Sequence, residues 1–358
     1  MPDPSLRLRK LRGLLADRHL DALIVSSLPN VRYLSGFTGS SAALLVDADH
    51  ALLITDSRYA EQSAAEAPGF DIDVSPGVPA LVAARSAGPR RVAFEAEAAS
   101  YALWEQMRGA AEKSSAQLAP VRGLVESLRA RKEPDEVALI TRAVEITSAA
   151  FEEVLPMVVP GAVERDLALE LELRMKRAGA EDVAFDLIVA SGPRSALPHG
   201  RASEKRLSAG EFVVFDIGAR YKGYHSDMTR TVFLGNPGSA DSELYNTVLS
   251  AQLDGIAAAK SGVAAGDVDA ASRRVIDAAG HGSRFGHGTG HGVGLAVHEA
   301  PRVGQRSEEV LEEGMTITVE PGIYVQGRGG VRIEDIVLVT REGCRVLTPT
   351  PKDRWILE

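Results

Sequence analysis

EFVVFDIGARYKGYHSDMTRTVFL, residues 211–234, holds two apolar runs with a carboxylate at the edge of each. Asp216 follows Phe212-Val213-Val214-Phe215, and Asp227 precedes Met228-Thr229-Arg230-Thr231-Val232. Both runs read as strands. The loop-like Gly218-Ala219-Arg220-Tyr221-Lys222-Gly223 lies between them, with a glycine at each end. If the strands pair, both carboxylates sit near the same end of a hairpin. Two more acids have the same setting. Glu320 ends Met315-Thr316-Ile317-Thr318-Val319, and Glu334 lies between Val331-Arg332-Ile333 and Ile336-Val337-Leu338-Val339. A buried carboxylate is costly unless it is paired or metal-bound. One such acid is a strand-end residue facing water; four of them point to a site. Arg332 and Glu334 are two apart and share one strand face.

A second stretch, FGHGTGHGVGLAVHE (285–299), packs three histidines and five glycines into fifteen positions. A phosphate loop would want Gly-Lys-Ser/Thr or GxGxxG between strand and helix, and would keep small residues where these imidazoles stand. Histidines beside a carboxylate cluster read better as one ligand plus proton carriers. Four carboxylates and one imidazole form a hard, oxygen-rich set. That set suits two divalent ions, Mn²⁺ first, with Co²⁺, Fe²⁺ or Zn²⁺ as alternatives. A lone structural zinc would draw on Cys and His instead.

Outward from these stretches, the second half of the chain alternates helices with hairpin-like strands. Pro134 opens a long helix running to about Val158, and a second covers about 163–178, before Gly179. Two more lie near 240–260 and 267–279. The strands are 211–218, 225–234, 314–324 and 329–340, an α+β arrangement. Residues 1–125 read differently. A helix with Leu6, Leu8, Leu11, Leu14 and Leu15 at near-helical spacing precedes the buried strand ALIVSS (22–27). ALLVD (43–47) and ALLITD (51–56) flank Ala48-Asp49-His50 as a hairpin, and RYAEQSAAEA (58–67) is a helix stopped by Pro68-Gly69. Two further helix–strand alternations, with RVAFEAE (91–97) as the clearest strand, make this an α/β domain. The expected division is therefore 1–125 and 126–358.

At 358 residues and 45% hydrophobic, the chain can bury two cores. Its 49 acidic residues against 40 basic ones, with no basic tract, argue against nucleic acid or an anionic membrane as partner. The single cysteine, Cys344, excludes an intrachain disulfide and a thiolate cluster, which fits a reducing compartment. No stretch reads as a secretion signal or a membrane span, so the expected location is the cytoplasm. His19, His50 and His281 read as surface residues, and His225, two before Asp227, as exposed at a strand start, with contact to the site as the alternative.

Taken in order, FDIGARYKGYHSDMTRT, FGHGTGHGVGLAVHEAP, TVEPGIY and GVRIED, together with LPHG (197–200), resemble the metal-dependent pita-bread peptidases. These are methionine aminopeptidase, prolidase and aminopeptidase P. The resemblance implies a creatinase-like N-terminal domain before a pita-bread catalytic domain. It implies that Asp216, Asp227, His291, Glu320 and Glu334 bind two metal ions, with Asp227 and Glu334 bridging. It makes Glu320 the proton carrier and His298 the group that polarises the carbonyl. His199 would contact the substrate near proline, and His287 and Tyr324 would line the pocket. Arg332 would brace the carboxylates and border the substrate. Relatives are usually homodimers, so a homodimer is expected.

Its substrates would be peptides with proline in second position, cut at the Xaa-Pro bond. NVRYLSGFTGSSA (30–42) and TDSRYAEQ (55–62) resemble short bacterial aminopeptidases P, with prolidase, the Xaa-Pro dipeptidase, as the alternative. GFTGSSA offers small residues, poor at walling off a substrate's exit, and Arg302 is a possible cation past the proline. An N-terminal half of this kind argues against methionine aminopeptidase. The intact ligand set argues against a metal-free creatinase-like hydrolase and against a pita-bread binding protein that has lost its metals.

Overall fold

The structure is a computed structural model that describes residues 4–74 and 90–358. It divides into two units, Met1–Arg129 and Ala130–Glu358.

In the first unit, β1 (Ala22–Val25), β2 (Ala42–Asp47), β3 (Ala51–Thr55), β4 (Asp71–Val74), β5 (Arg91–Glu95) and β6 (Gln117–Val121) form one mixed sheet in the order β4-β3-β2-β1-β5-β6. The expected hairpin is present, with Val46 opposite Ala51. Its turn closes on Asp47, whose Oδ1 accepts the amides of Asp49 (3.0 Å) and His50 (2.7 Å). An aspartate that caps its own turn is a strong local signal. Helices α1 (Pro4–Asp17), α2 (Leu28–Ser35), α3 (Ala60–Glu66), α4 (Tyr101–Ser114) and α5 (Leu124–Ala130) accompany the sheet. Helix α2 was not expected: its sequence is short, and only Pro29 near its start and left-handed Gly36 after its end mark it. The first alternation expected after Pro68-Gly69 falls largely on residues 75–89, outside the described residues.

The second unit begins with α6 (Pro134–Val154), where the Glu133 amide donates to Glu136 Oε2 at 3.0 Å. The helix stops four residues short of the expected end, because Pro156 tightens its last turn. Its Ile140, Val144, Thr147, Phe151 and Val154 share one buried stripe. The C-terminal part of that helix (Ile146, Ala150, Phe151 and Val154) and α7 (Glu164–Arg177) pack on one face of a four-stranded sheet. The sheet contains β8 (Ile188–Ser191), β9 (Phe212–Ile217) and β12 (Met228–Leu234), joined by β20 (Ile356–Leu357). Val213, Phe215 and Ile217 pack into this core. By strand alternation Asp216 faces the other way. Across the ladder Asp216 stands opposite Thr229, so Asp216 and Asp227 do share one end of the hairpin. The loop between them is itself a small hairpin, β10 (Ala219–Tyr221) and β11 (Tyr224–His225), turning at Lys222 and Gly223, both with positive φ. Glycine is suited to that turn because it lacks a Cβ.

Helices α8 (Ser239–Ala258) and α9 (Ala265–Ala278) precede the remaining strands. The two long strands expected at 314–324 and 329–340 are each broken. The first becomes β15 (Thr316–Val319) and β16 (Gly322–Val325), the second β17 (Gly329–Arg332) and β18 (Asp335–Val339). β15 and β18 pair in a five-stranded sheet with β13 (Gly290–Gly292), β14 (Glu299–Val303) and β19 (Cys344–Val346), while β16 and β17 pair with each other. The chain leaves one sheet at Glu320-Pro321 and re-enters it at Ile333-Glu334. So Glu320 and Glu334 stand at breaks where strands change partners, and Asp227 sits in a third gap, before β12. Only Asp216 lies inside a strand, which corrects the reading of all four acids as strand residues. A break releases backbone from the ladder and re-aims the side chain there.

Candidate active site

The glycines around His291 answer a packing demand. A Cβ on Gly290 would lie 2.0 Å from the Thr318 carbonyl oxygen, and one on Gly292 2.1 Å from that of Ala300. Strand β13 runs so close to its neighbours that only glycine fits on either side of the histidine. Helix α9 fixes the approach to this strand. Buried Asp269 accepts the Thr289 amide (3.0 Å) and hydroxyl (2.9 Å) and pairs with Arg273. Arg273 in turn donates to the carbonyls of Phe285 (3.0 Å) and His287 (2.8 Å). The Thr289 carbonyl then accepts the Glu320 amide at 2.7 Å.

The fold brings Asp216, Asp227, His291, Glu320 and Glu334 into one cluster. His291 Nε2 lies 3.2 Å from Glu320 Oε1 and 3.7 Å from Asp227 Oδ2. One side-chain donor atom each from Asp227, His291 and Glu334 lie within 4.8 Å of one another. His291 Nδ1 faces the Gly292 carbonyl at 3.0 Å. With the ring proton there, Nε2 presents a lone pair to the carboxylates. Glu334 Oε1 is buried and accepts no hydrogen bond among the described residues. A buried anionic oxygen without a donor, beside an imidazole lone pair and three further carboxylates, is the donor set a divalent cation completes. The residues therefore fit a metal centre.

Electrostatics agree. Burial, together with the neighbouring charges of Glu334, Asp216 and Glu320, pushes the Asp227 carboxyl well above its ordinary range. Burial and the charges of Glu320 and Asp216 do the same to Glu334. Burial also raises Asp216, against the opposing charge of Arg332. Glu320 goes the other way. Burial would raise it, but the hydrogen bond and charge of His291, with Arg332, hold it at about 2. For His291, burial is outweighed by Glu320, and the ring titrates above its usual value. Metal-free, the cluster stores protons that a cation would replace.

Around the cluster runs a hydrogen-bonded frame. Arg332, buried, donates from Nη2 to Asp216 Oδ2 (2.6 Å) and from Nη1 to Tyr324 Oη (2.8 Å) and the Pro198 carbonyl (3.2 Å). Its Nε donates to Thr229 Oγ1 at 3.0 Å, and that hydroxyl donates to Glu334 Oε2 at 2.7 Å. Tyr324 Oη also meets His287 Nε2 at 2.8 Å. Since His287 Nδ1 faces the Gly288 carbonyl at 2.7 Å, the tyrosine is the donor to Nε2. His298 is exposed, with its ring stacked edge-on against His291 at 4.1 Å between centroids. Burial and the charges of His291 and His199 lower its pKa, which places exposed His199 in the same electrostatic neighbourhood. Arg302 is exposed on β14, directly opposite His291 across the ladder.

His225 is half-buried rather than exposed, its ring Nδ1 3.1 Å from the Gly294 carbonyl. Thr229, Thr318, Asp269 and Arg273 escaped the sequence reading. Thr318 Oγ1 donates to Glu320 Oε1 at 3.2 Å and accepts the His291 amide at 3.1 Å. Two hydroxyls at period two in an apolar run, Thr229 and Thr231, were the available signal, since buried hydroxyls need partners.

Comparison with known proteins finds the same architecture over the whole chain. A solved Xaa-Pro dipeptidase from Bacillus anthracis is 42% identical, covering 99% of this chain and all of that one, with a TM-score of 0.95. A solved X-Pro aminopeptidase from Thermotoga maritima is 36% identical over 98% of this chain and 99% of that one, with a TM-score of 0.89. The Xaa-Pro dipeptidase of Pyrococcus furiosus is 38% identical over 97% of this chain and 99% of its own length. The pattern of the Creatinase/Prolidase N-terminal domain matches residues 7–131. That of metallopeptidase family M24 matches residues 138–341, more than half of the sequence, and the chain, a creatinase-type domain followed by a pita-bread catalytic domain, belongs to that family.

Proposed function

We infer that the protein is a metal-dependent peptidase that hydrolyses Xaa-Pro bonds, with Xaa-Pro dipeptides as its better substrates. The observation that carries the reading is the convergence of Asp227, His291 and Glu334 on a shared space, with Glu334 Oε1 lacking a donor. Asp216, Asp227, His291, Glu320 and Glu334 would hold two divalent ions, Mn²⁺ in our reading. Such ions lower the pKa of bound water and stabilise developing oxyanion charge. Glu320 would take a proton from the attacking water and deliver one to the proline nitrogen as the carbon–nitrogen bond breaks. That nitrogen is tertiary, so its departure depends on a proton delivered at the right place. His298, neutral at pH 7, donates a hydrogen bond to the carbonyl oxygen, and His199 contacts the proline ring. Arg332 fixes Asp216, and the His287–Tyr324 pair lines the pocket beside it. A cytoplasmic homodimer completes the proposal; among the described residues no helix is long and apolar enough to cross a membrane.

Between the two specificities the sequence favoured the aminopeptidase, and the comparisons fit the dipeptidase better. TDSRY and GFTGSSA, which carried the first preference, bind each other. Tyr59 Oη lies 2.6 Å from Ser40 Oγ, Thr55 Oγ1 donates to the Ser41 carbonyl at 2.6 Å, and Asp56 pairs with Arg58. These contacts give both motifs a structural reason to exist. Arg302, exposed on β14 opposite His291 in the ladder, is a candidate cation for a free proline carboxylate but does not by itself separate the two specificities. The test is kcat/KM of the Mn²⁺-reconstituted protein on Ala-Pro and Ala-Pro-Ala. The dipeptide is expected to be cleaved faster. Faster cleavage of the tripeptide makes the protein an aminopeptidase, and failure on both refutes the Xaa-Pro reading.

A further inference from the structure

His298 poses a positioning problem. Its side chain is exposed, and its one ring neighbour among the described residues is His291. With no hydrogen bond to the ring among the described residues, its place depends on its backbone, the loop from Val293 to His298 between β13 and β14. That loop closes on the carboxylate of Glu299. Oε2 accepts the Ala296 amide at 3.3 Å, and the Gly294 amide donates to the Ala296 carbonyl at 3.0 Å. The carboxylate fills the inside of the turn so closely that a Cβ on Gly294 would lie 2.4 Å from Oε1.

Glu299's side chain is only 5% exposed, so its charge needs a partner. Lys132 supplies it. Its Nζ lies 2.8 Å from Glu299 Oε1, with the lysine side chain 1% exposed. The same ammonium donates to the Ala130 carbonyl at 3.1 Å, and the Lys132 amide donates to the Gly314 carbonyl at 2.8 Å. The cation is thus anchored to the segment leading into α6. On its other side the loop is held by His225, whose amide donates to the Gly294 carbonyl at 2.9 Å.

We propose that the buried Lys132–Glu299 pair is a positioning device that sets where the His298 imidazole stands, and so governs turnover without touching substrate. The proposal rests on His298 acting at the scissile carbonyl, as inferred above. A misplacement of about 1 Å in a catalytic group can lower turnover by about 10²-fold.

The test uses the full-length chain. Lys132→Met alone takes the ammonium away from a buried carboxylate and endangers the fold, so the main variant is Lys132→Met/Glu299→Gln, which removes both charges at nearly constant volume. Relative to the unsubstituted protein, kcat on Ala-Pro should fall roughly 10- to 100-fold with KM and metal content nearly unchanged. In a His298→Ala background the same two substitutions should lower kcat less than threefold further, because the group they place is gone. A purely structural role would instead multiply the two losses.

The second arm needs no activity. In the metal-free protein the His298 ring-proton signals, assigned by their loss in His298→Ala, should move in Lys132→Met/Glu299→Gln as the edge-on contact with His291 is released. Unmoved signals overturn the placement, whatever the protein hydrolyses. Moved signals with unchanged kcat also overturn the proposal, since they show a placement that turnover does not need.

Discussion

Thr229→Val removes one buried oxygen and little volume, at the point where the frame meets the cluster. The hydroxyl makes two charge-assisted bonds, donating to Glu334 Oε2 at 2.7 Å and accepting from Arg332 Nε at 3.0 Å. Bonds of this class contribute about 1.5–3 kcal/mol each. Losing the bond from Arg332 acts on the fold. Losing the bond to Glu334 acts on the metal, by leaving a carboxylate oxygen free to turn and by raising further a pKa that burial already raises. Outer partners of metal ligands are typically worth 10–100-fold in affinity, about 1.4–2.7 kcal/mol. We therefore expect Mn²⁺ affinity, measured by competition with a chelator, to fall by about 10–100-fold in Thr229→Val. Thr231→Val is the matched control. Its hydroxyl is equally buried and on the same strand face, but among the described residues it bonds only to the Arg332 backbone, at 2.8 Å to the carbonyl and 3.1 Å from the amide. Thr231→Val should lower Tm and leave affinity within about threefold. Equal affinity losses in the two variants, or none in Thr229→Val, would refute the assignment of Thr229 to Glu334.

Removing the ligand imidazole with His291→Asn should strip metal measurable by elemental analysis, whereas His298→Ala should keep it and lower turnover by about 10²-fold or more; equal metal loss in both reverses the assignment. Metal uptake should release protons. Asp227 and Glu334, with raised pKa values, bind protons more tightly in the metal-free fold than in the unfolded chain. Metal affinity should therefore rise with pH through the raised range, while the metal-free fold loses stability over the same window. A metal affinity that does not rise with pH above the ordinary carboxylate range would contradict this.

The sequence already carried the elements whose signals are local. The Asp47 turn, the strand before Asp216 and the helix opening at Pro134 each depend on neighbours a few positions away. The five clustered residues were recoverable because acids beside apolar runs, and a histidine among glycines, are improbable in an ordinary core. What the pattern did not contain is the breaks. Met315 to Tyr324 reads as one strand, and only pairing shows that β15 and β16 belong to different sheets. Lys132, Thr229 and Asp269 were equally silent. Their partners lie 167, 105 and 20 positions away, at Glu299, Glu334 and Thr289, and a lysine or threonine with a distant buried partner looks locally like any other.

The order in which the five residues occur along the chain has a consequence for synthesis. Asp216 and Asp227 come first, while His291, Glu320 and Glu334 follow over the next hundred residues. At about 5–20 residues per second, roughly 6–24 s separate the emergence of Asp216 from that of Glu334. During that interval the nascent chain offers two carboxylates on a young hairpin and none of the later ligands. If these residues are ligands as proposed, such a half-site would hold a divalent ion weakly and exchange it with the surrounding pool. On the proposed ligand set, an ion met early would not be retained, and the choice among metals would fall after translation has passed residue 334.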